Sequence, residues 1–598
     1  MASTTTLPKL PLFEAISRHD PESTAVIHSL SGRRFKYGEL LGDVRRARDK
    51  LLESSGKQDL DGERIAFLVE NSYDYVVILL AALAARSIAV PLSPAFPAAE
   101  LQYIINQSEA SLLVSSTKFA AKAKEVLDTD HLVSRPAQIE LQKHKSNAAH
   151  EQVELDGADP GGAGMMLYTS GTTNRPKGVL LPQSVLTAQS KSLIEAWNYS
   201  PSDHLLHVLP LHHIHGTVNA VLTPLFSGST IEFMFPFNAD AVWKRLAAPF
   251  ITTNGHSGTN GTNGTNGTNG TNGTNGTNGT HALAKEKVTF FTVVPTVYSR
   301  LLATHKTLPL DPEEPTREAV SPKHMRLAIS GSAALPTPIK ESWRSLSKGN
   351  VLLERYGMTE VGMALSCGLD FADRVDGSVG WPLPGVEARL VDMDTGLVIP
   401  QGEDVDPTTG RERSGEIQLR GPTIFKEYWR NPEATAKEFV DDADGKGRWF
   451  KTGDVAVRRP VPAAGKNPAQ AAWARGDMYF IQGRKSADII KTGGEKVSAL
   501  EVERELLSLP EVAEAAVVAV PSGKWGSKVG AVIILNKDVA PSWSPTAMRR
   551  ALRDRLVNYK IPQVLKVVDH IPRNAMGKIN KKQLVQAVFE DQFSGDEM

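Results

Sequence analysis

Leu167 to Pro182 reads LYTSGTTNRPKGVLLP. Thr169, Ser170, Gly171, Thr172 and Thr173 supply hydroxyl or glycine positions, and Arg175, Pro176, Lys177 and Gly178 follow. Small side chains let backbone N–H groups approach a polyphosphate closely, and Lys177 can neutralise its charge. The segment is not a Walker P-loop, because no Ser or Thr follows the lysine and no helical pattern follows the loop. Apolar runs flank it instead, MMLY before and VLL after, so the spacing predicts a loop between two strands. Read alone, the segment also fits an ordinary Ser/Thr/Gly turn.

On the N-terminal side, helical and strand-like patches alternate. A polar helical pattern spans Tyr37 to Leu52 and a strand pattern Arg64 to Val69. The apolar run Tyr75 to Ala85 (YVVILLAALAA) reads as a buried helix, leading into strand-like Ser87 to Leu92. This alternation predicts an α/β architecture. Asp203 to Phe237 is apolar with interspersed histidines and is expected in the core.

At 598 residues the chain is too long for one core, so two or more domains are expected. Hydrophobic residues make up 41% and charged residues 22%, as in soluble globular proteins. Formal net charge is zero, which removes the electrostatic case for a nucleic-acid partner. The single Cys367 excludes an internal disulfide and a cysteine zinc site. No Cys–His signature surrounds it, so a buried or incidental thiol is expected rather than a nucleophile. The run ending at Ala85 is too short to cross a bilayer, so no integral membrane segment is expected. The first twenty residues lack the apolar core of a signal peptide, and SGDEM at the C-terminus is not a peroxisomal SKL. The cytosol is the default compartment, and a weak presequence leaves the mitochondrion as the alternative.

Thr253 to Thr280 is a different material: it holds seven uninterrupted TNG triplets, Thr259 to Gly279, with no apolar residue. Such a tract cannot bury surface to offset its ordering entropy, so a disordered insert is expected over 253–280. It falls between helix-like Ala239 to Leu246 and strand-like Val288 to Val294, where a surface loop lengthens at small cost. Arg458 to Gly476, rich in Pro and Ala, reads as a second insert. A domain boundary is expected near Gly483 to Ile490, dividing 1–483 from 484–598. Beyond it, Ala499 to Leu507 and Thr546 to Val557 read as helices, and Val512 to Val520 and Val529 to Leu535 as strands. That pattern is a small α+β module.

Five further segments carry unusual chemistry: ISGSAAL (329–335), LLERYGMTEV (352–361), WFKTGDV (449–455), YFIQGRKSADIIKTGGEKVS (479–498) and PRNAMGK (572–578). Glu360 can hold a hard cation, Thr359 a phosphate oxygen, and Asp454, after a glycine at a strand end, a ribose diol. Singly, each has a plain alternative: Glu360 as a surface carboxylate, Asp454 as a turn residue, Lys578 as a solvated lysine.

In this order and spacing the segments resemble the adenylate-forming superfamily of acyl-CoA synthetases, adenylation domains and luciferases, over about residues 10 to 590. The resemblance implies a large multi-subdomain N-terminal domain and a small mobile C-terminal one. It implies ATP, Mg²⁺ and CoA, with Thr169, Ser170, Gly171, Thr172, Thr173 and Lys177 around the β- and γ-phosphates. It places Gly331, Ser332, Ala333, Glu354, Arg355, Tyr356 and Gly357 around adenine, Thr359 at the α-phosphate and Glu360 on Mg²⁺. Asp454 and Arg484 would hold the ribose. Lys578 would bridge the acyl carboxylate and the α-phosphate. Ser486 would be the pivot that brings the Gly493–Gly494 face in for thioester formation. Two positions depart from the family pattern: Asn174 stands where Gly is usual, and Ser486 where Asp or Lys is usual. Asn tolerates left-handed angles, so the loop survives the first change; the second bears on hinge energetics.

LHVLPLHHIHG (206–216) and VVPTVYSRLL (293–302), taken with the segments above, look closest to malonyl-CoA synthetases. That resemblance implies Arg300 as partner of the acid's distal carboxylate, with His215 lining the same pocket. A second buried carboxylate without a cation is very costly, and the bidentate fork of arginine suits it. The alternatives are Arg300 as a polar position on an amphipathic helix, and a ligase for a medium-chain or aromatic monocarboxylic acid. A non-catalytic nucleotide- or acyl-CoA-binding protein is the reading from another class; retention of Lys578 argues against it.

Overall fold

The structure is a computed structural model that describes residues 6–146, 149–157, 159–169, 175–251, 286–308, 310–442, 444–522, 526–573 and 579–589. Among these residues the strands form three sheets. The two strands expected on either side of the loop are present. Gly164–Thr169 and Lys177–Pro182 pair antiparallel, with Thr169 opposite Lys177. They lie in a seven-stranded sheet beside the parallel strands Ile88–Pro91, Arg64–Leu68 and Ala110–Ser116.

The largest sheet begins with a parallel run of Thr24–His28, Thr230–Phe233, His204–His207, Phe290–Val293, Leu327–Ser330 and Leu353–Met358. It continues antiparallel through Gly362–Ser366, Ser378–Pro382, Met478–Arg484, Arg448–Arg459 and Gly415–Arg420. The apolar helix Tyr73–Ala84 is buried along its whole length, and the Ser72 side chain caps it by accepting the Tyr75 N–H. Such a helix, hydrophobic all round, must be covered on every side. One apolar cluster joins its Val76 and Leu80 to Ile65 and Leu112 of the seven-stranded sheet and to Val26, Leu205 and Ile231 of the larger one. The helix therefore lies in a layer shared by both sheets.

The third sheet contains Ile489–Thr492, Glu495–Ser498, Val512–Ser522, Gly526–Leu535 and Val564–Val567. It has its own core, including Ile490, Val502, Leu506, Val517, Ile533 and Leu552. The helix expected to reach Val557 runs only Pro545–Leu552. The chain turns after it so that Leu556 and Ile561 both enter this core. Among the described residues no helix is long and apolar enough to cross a membrane.

The reading of Arg458 to Gly476 as an insert is corrected at its start. Arg458 and Arg459 complete the strand Arg448–Arg459, held by the bond from Arg458 Nε to Asp404 Oδ1 at 2.7 Å. The loop that follows is packed rather than loose. The Gln470 side chain, 2% exposed, donates to the Ala196 carbonyl and accepts the Leu369 N–H, and Trp473 is buried.

The TNG tract lies outside the described residues. The chain reaches it through the helix Ala239–Ala247 and resumes at Glu286, whose carboxylate pairs with Arg34 at 2.6 Å. The Glu286 carbonyl accepts from the buried Arg245 guanidinium at 2.9 Å. With that anchor intact, deletion of Thr259 to Gly279 is expected to leave kcat/KM within about twofold, since each doubling of loop length changes closure by only about 0.6 kcal/mol. Thioester formation and yield of soluble protein, measured on the deletion variant, check this; a large loss of either contradicts it.

Candidate active site

Ligands of open α/β sheets bind beyond the carboxyl ends of parallel strands. Here those ends deliver His207, Thr292, Gly331 and Arg355 from four adjacent strands. Arg355 is 3% exposed, and its Nη2 lies 2.5 Å from His215 Nδ1 and 3.2 Å from Ser332 Oγ. Its guanidinium lies against the bare Cα of Gly331, where a Cβ would come within 2.4 Å of it. No carboxylate among the described residues pairs with it, and its Nε has no partner. Burial alone pulls its pKa down to about 9. His215 is held from its other side by Thr292, with Nε2 2.6 Å from Oγ1. Burial and the Arg355 charge push the His215 pKa well below its ordinary value, so the ring is neutral. Ser332 adopts the left-handed backbone, φ 67°, uncommon for a residue with a Cβ. Ser332 and Ala333 are exposed at the rim.

A second group forms around Asp454. Asp454 and Arg484 are direct register partners on adjacent strands. Their charges meet at 3.0 Å, and the Tyr356 hydroxyl donates to the other Asp454 oxygen at 2.6 Å. Burial raises the Asp454 pKa, while Arg484 and Tyr356 oppose the rise. Gly453 takes a positive φ of 72° immediately before it.

Glu360 anchors a third group. Its carbonyl accepts the Phe425 N–H at 2.8 Å, and Tyr428 donates its hydroxyl to Oε1 at 2.9 Å. The Lys177 ammonium sits 4.0 Å from the centre of the Tyr428 ring, so lysine, ring and carboxylate are contiguous. Burial raises the Glu360 pKa, opposed by Tyr428, Arg484 and Lys177. No cluster of three or more His, Cys, Asp or Glu side chains able to hold a metal occurs among the described residues. A single carboxylate fits Mg²⁺, which binds through one or two carboxylates plus phosphates and water.

Thr169 and Lys177 flank the loop of which Ser170, Gly171, Thr172, Thr173 and Asn174 lie outside the described residues, as does Lys578. The Glu354 carboxylate is committed to Lys340 in a buried pair at 2.7 Å. Gly357 packs so closely on the Gly362 carbonyl that a Cβ would lie 2.1 Å from it. Thr359 lies between Met358 and Glu360, partly buried. Gly493 and Gly494, φ 57° and 85°, form an exposed two-residue hairpin turn of the kind that needs positive φ at both positions. Ser486 is exposed in the turn 485–488. Arg300 is exposed on the helix Pro295–His305, its guanidinium 5.1 Å from the centre of the Phe237 ring. Sequence reading missed Tyr428 and Lys340. Nothing local marks either one, because each acts across a long sequence separation.

An AMP-binding enzyme family model matches residues 13–253 and 248–429, and an AMP-binding enzyme C-terminal domain model matches 501–578. A CoA ligase of Gibberella moniliformis is 56% identical over 588 residues, covering 96% of this chain and 94% of that protein. A mitochondrial malonate–CoA ligase of Mus musculus is 38% identical over 542 residues, covering 89% of this chain and 82% of that one. The crystal structure of ATP-bound MatB from Rhodopseudomonas palustris aligns with a TM-score of 0.74 at 30% identity, covering 98% of this chain and 99% of that chain.

Proposed function

Since the chain belongs to the AMP-binding enzyme family, we propose that it is an ATP-dependent CoA ligase whose acid is malonate or methylmalonate. The observation that carries the choice of acid is the buried Arg355 guanidinium without a carboxylate partner. A buried cation without a counter-charge is costly, and the second carboxylate of a short diacid supplies one. The malonate–CoA ligases among the relatives support the same acid.

In the first half-reaction an acid oxygen attacks the α-phosphorus of ATP, the bond to the β-phosphate breaks, and pyrophosphate leaves with its electron pair. Both reactants are anions. Lys177 screens the polyphosphate, Asp454 and Arg484 fix the ribose, and Lys578 brings its ammonium between the acid and the α-phosphate. Mg²⁺ on Glu360 would supply the remaining charge neutralisation. In the second half-reaction the CoA sulfur attacks the acyl carbon, AMP departs, and the thiol proton goes to solvent. The pivot at Ser486 would then present the Gly493–Gly494 turn. The compartment proposed is the cytosol, with the mitochondrion, named for the mouse relative, as the alternative.

Arg300 is proposed as a second cation at the pocket mouth. Its cation–π contact with Phe237 holds it by only about 0.5–1 kcal/mol, so it can swing to a bound carboxylate. Its exposure also favours the reading as a monocarboxylic acid ligase, and one comparison tests both. Thioester formation is measured with ATP, Mg²⁺ and CoA on malonate, methylmalonate, acetate and octanoate. Turnover of malonate over acetate and octanoate is expected, and Arg300→Ala is expected to raise the malonate KM about tenfold. Turnover of octanoate alone discards malonate and the role of both arginines. Absence of pyrophosphate release with these four acids and with an aromatic monocarboxylic acid leaves only a binding protein.

A further inference from the structure

The helix Ala98–Ser108 lies against the sheet that carries Lys177. Its Leu101, Ile104 and Ile105 share an apolar cluster with Met166 and Leu180, from the strands on either side of the 169–177 loop. Two polar side chains of this helix, Tyr103 and Gln107, stand four residues apart and so share a face. The Tyr103 hydroxyl donates to the Pro176 carbonyl at 2.9 Å, and Gln107 Nε2 donates to the Trp429 carbonyl at 2.8 Å. Pro176 immediately precedes Lys177, and Trp429 immediately follows Tyr428. One helix face therefore holds the backbone beside both partners of the 4.0 Å contact between the Lys177 ammonium and the Tyr428 ring. The Tyr428 hydroxyl carries that contact on to Glu360.

The Gln107 bridge is built around a glycine. The Trp429 N–H donates to the Gly178 carbonyl at 2.8 Å. A Cβ on Gly178 would come within 3.2 Å of Gln107 Oε1 and 2.8 Å of Met166 Sδ, so the bare Cα leaves room for the amide to cross the strand. On the near side Oε1 accepts the hydroxyl of Tyr168, the register partner of Gly178. The strand on the far side, Glu427–Tyr428, is only two residues long and lies at the edge of the sheet. So short a strand gains little from its own ladder. The side-chain bond to Trp429 is thus a large share of what fixes Tyr428.

We propose that Tyr103 and Gln107 are positioning residues for nucleotide activation: by fixing the Pro176 and Trp429 carbonyls, they hold the Lys177 ammonium, the Tyr428 ring and the Glu360 carboxylate in the one arrangement that receives the polyphosphate and its cation. The inference rests on the reading of the chain as an ATP-dependent ligase. Each side chain acts through the backbone neighbour of a site residue. Loss of either donor leaves the apolar contacts of the helix in place but frees Lys177 and Tyr428 to separate, so its cost falls on ATP and cation binding.

The test uses the full-length chain as wild type, Tyr103→Phe, Gln107→Glu and Tyr168→Phe, all close in shape to the residues they replace. Malonate-dependent exchange of pyrophosphate into ATP gives the KM for ATP and the Mg²⁺ concentration at half-maximal rate. Thioester formation from CoA and chemically prepared malonyl adenylate, which uses no polyphosphate, reads the rest of the site. Tyr103→Phe is expected to raise the KM for ATP about fivefold, the scale of one neutral hydrogen bond. Gln107→Glu keeps the acceptor for Tyr168 but turns a second acceptor toward the Trp429 carbonyl. It is expected to raise both the KM for ATP and the Mg²⁺ requirement about tenfold. Tyr168→Phe, which leaves the Trp429 bond in place, is expected to stay within about twofold in both. The thioester half-reaction is expected to stay within about twofold in all three variants, which also shows that they are folded. Parallel loss in both half-reactions, or a loss by Tyr168→Phe equal to that of Gln107→Glu, overturns the proposal, and an unchanged KM and Mg²⁺ requirement in either of the first two variants overturns it for that residue. The wild type judges the ligase reading separately: exchange with another of the acids changes only the substrate, on which the same comparison is then run, and exchange with none overturns both.

Discussion

Glu360→Gln is expected to lose acyl-adenylate formation by about 10²- to 10³-fold, the loss typical when a group stabilising transition-state charge is removed. The substitution keeps shape and keeps an acceptor for the Tyr428 hydroxyl, so the 2.9 Å bond can persist. It removes the negative charge that fits a hard cation. The same carboxylate is a burden on the folded chain. Burial raises its pKa above the ordinary carboxylate value, with Tyr428, Arg484 and Lys177 opposing. The folded state therefore holds this proton to higher pH than the unfolded state, and stability falls as pH rises through that interval. Cation binding needs the ionised form, so wild-type adenylation rises over the interval in which stability declines. The glutamine variant escapes that cost, and its Tm at neutral pH is expected to be no lower than that of the wild type. Pyrophosphate exchange and thermal unfolding on the two proteins check both statements. Wild-type exchange by Glu360→Gln would remove the carboxylate from the reaction.

The second large effect concerns Arg355. Arg355→Leu is expected to lower kcat/KM for malonate by about 10²-fold or more, because breaking a buried charge contact costs about 3–5 kcal/mol. Turnover of acetate, which brings no second charge, is expected to hold or improve. Leucine fills part of the volume without a cation, so the variant is also expected to unfold at a temperature no lower than the wild type. The measurement that decides is the ratio of malonate to acetate kcat/KM in both proteins. An unchanged ratio assigns Arg355 a structural role and leaves Arg300 as the proposed partner of the distal carboxylate.

The sequence showed the elements better than the directions of their side chains. The strand–loop–strand around Lys177, the buried helix Tyr73–Ala84 and the helix Ala499–Leu507 follow from local periodicity, which is written in neighbouring residues. Asp454 and Arg484 were read from separate motifs, yet their meeting is a matter of strand register, which no single segment encodes. Arg355 stands in a motif read as an adenine frame, but its guanidinium runs back beneath Gly331 to His215, 140 positions away in sequence. Tyr428 lies in an unremarkable stretch and meets Glu360 only because its strand pairs with Lys177–Pro182. The contacts of the Pro- and Ala-rich loop after Arg459 were illegible for a related reason. Its composition is local, while Gln470 bonds to residues 101 and 274 positions away and Gly465, Asn467 and Gly476 bond to Asp373, Asp370 and Trp381.

Asp454 and Arg484 face each other because two strands of one sheet put them in register. The grip proposed for the ribose is thus completed when the sheet forms, before any nucleotide arrives. Its conformational entropy is given up once, at the birth of the folded chain, and is not charged again at each catalytic cycle. Nucleotide association then draws on contact enthalpy and displaced water, and leaves the freedom lost per turnover to the acid and the CoA arm.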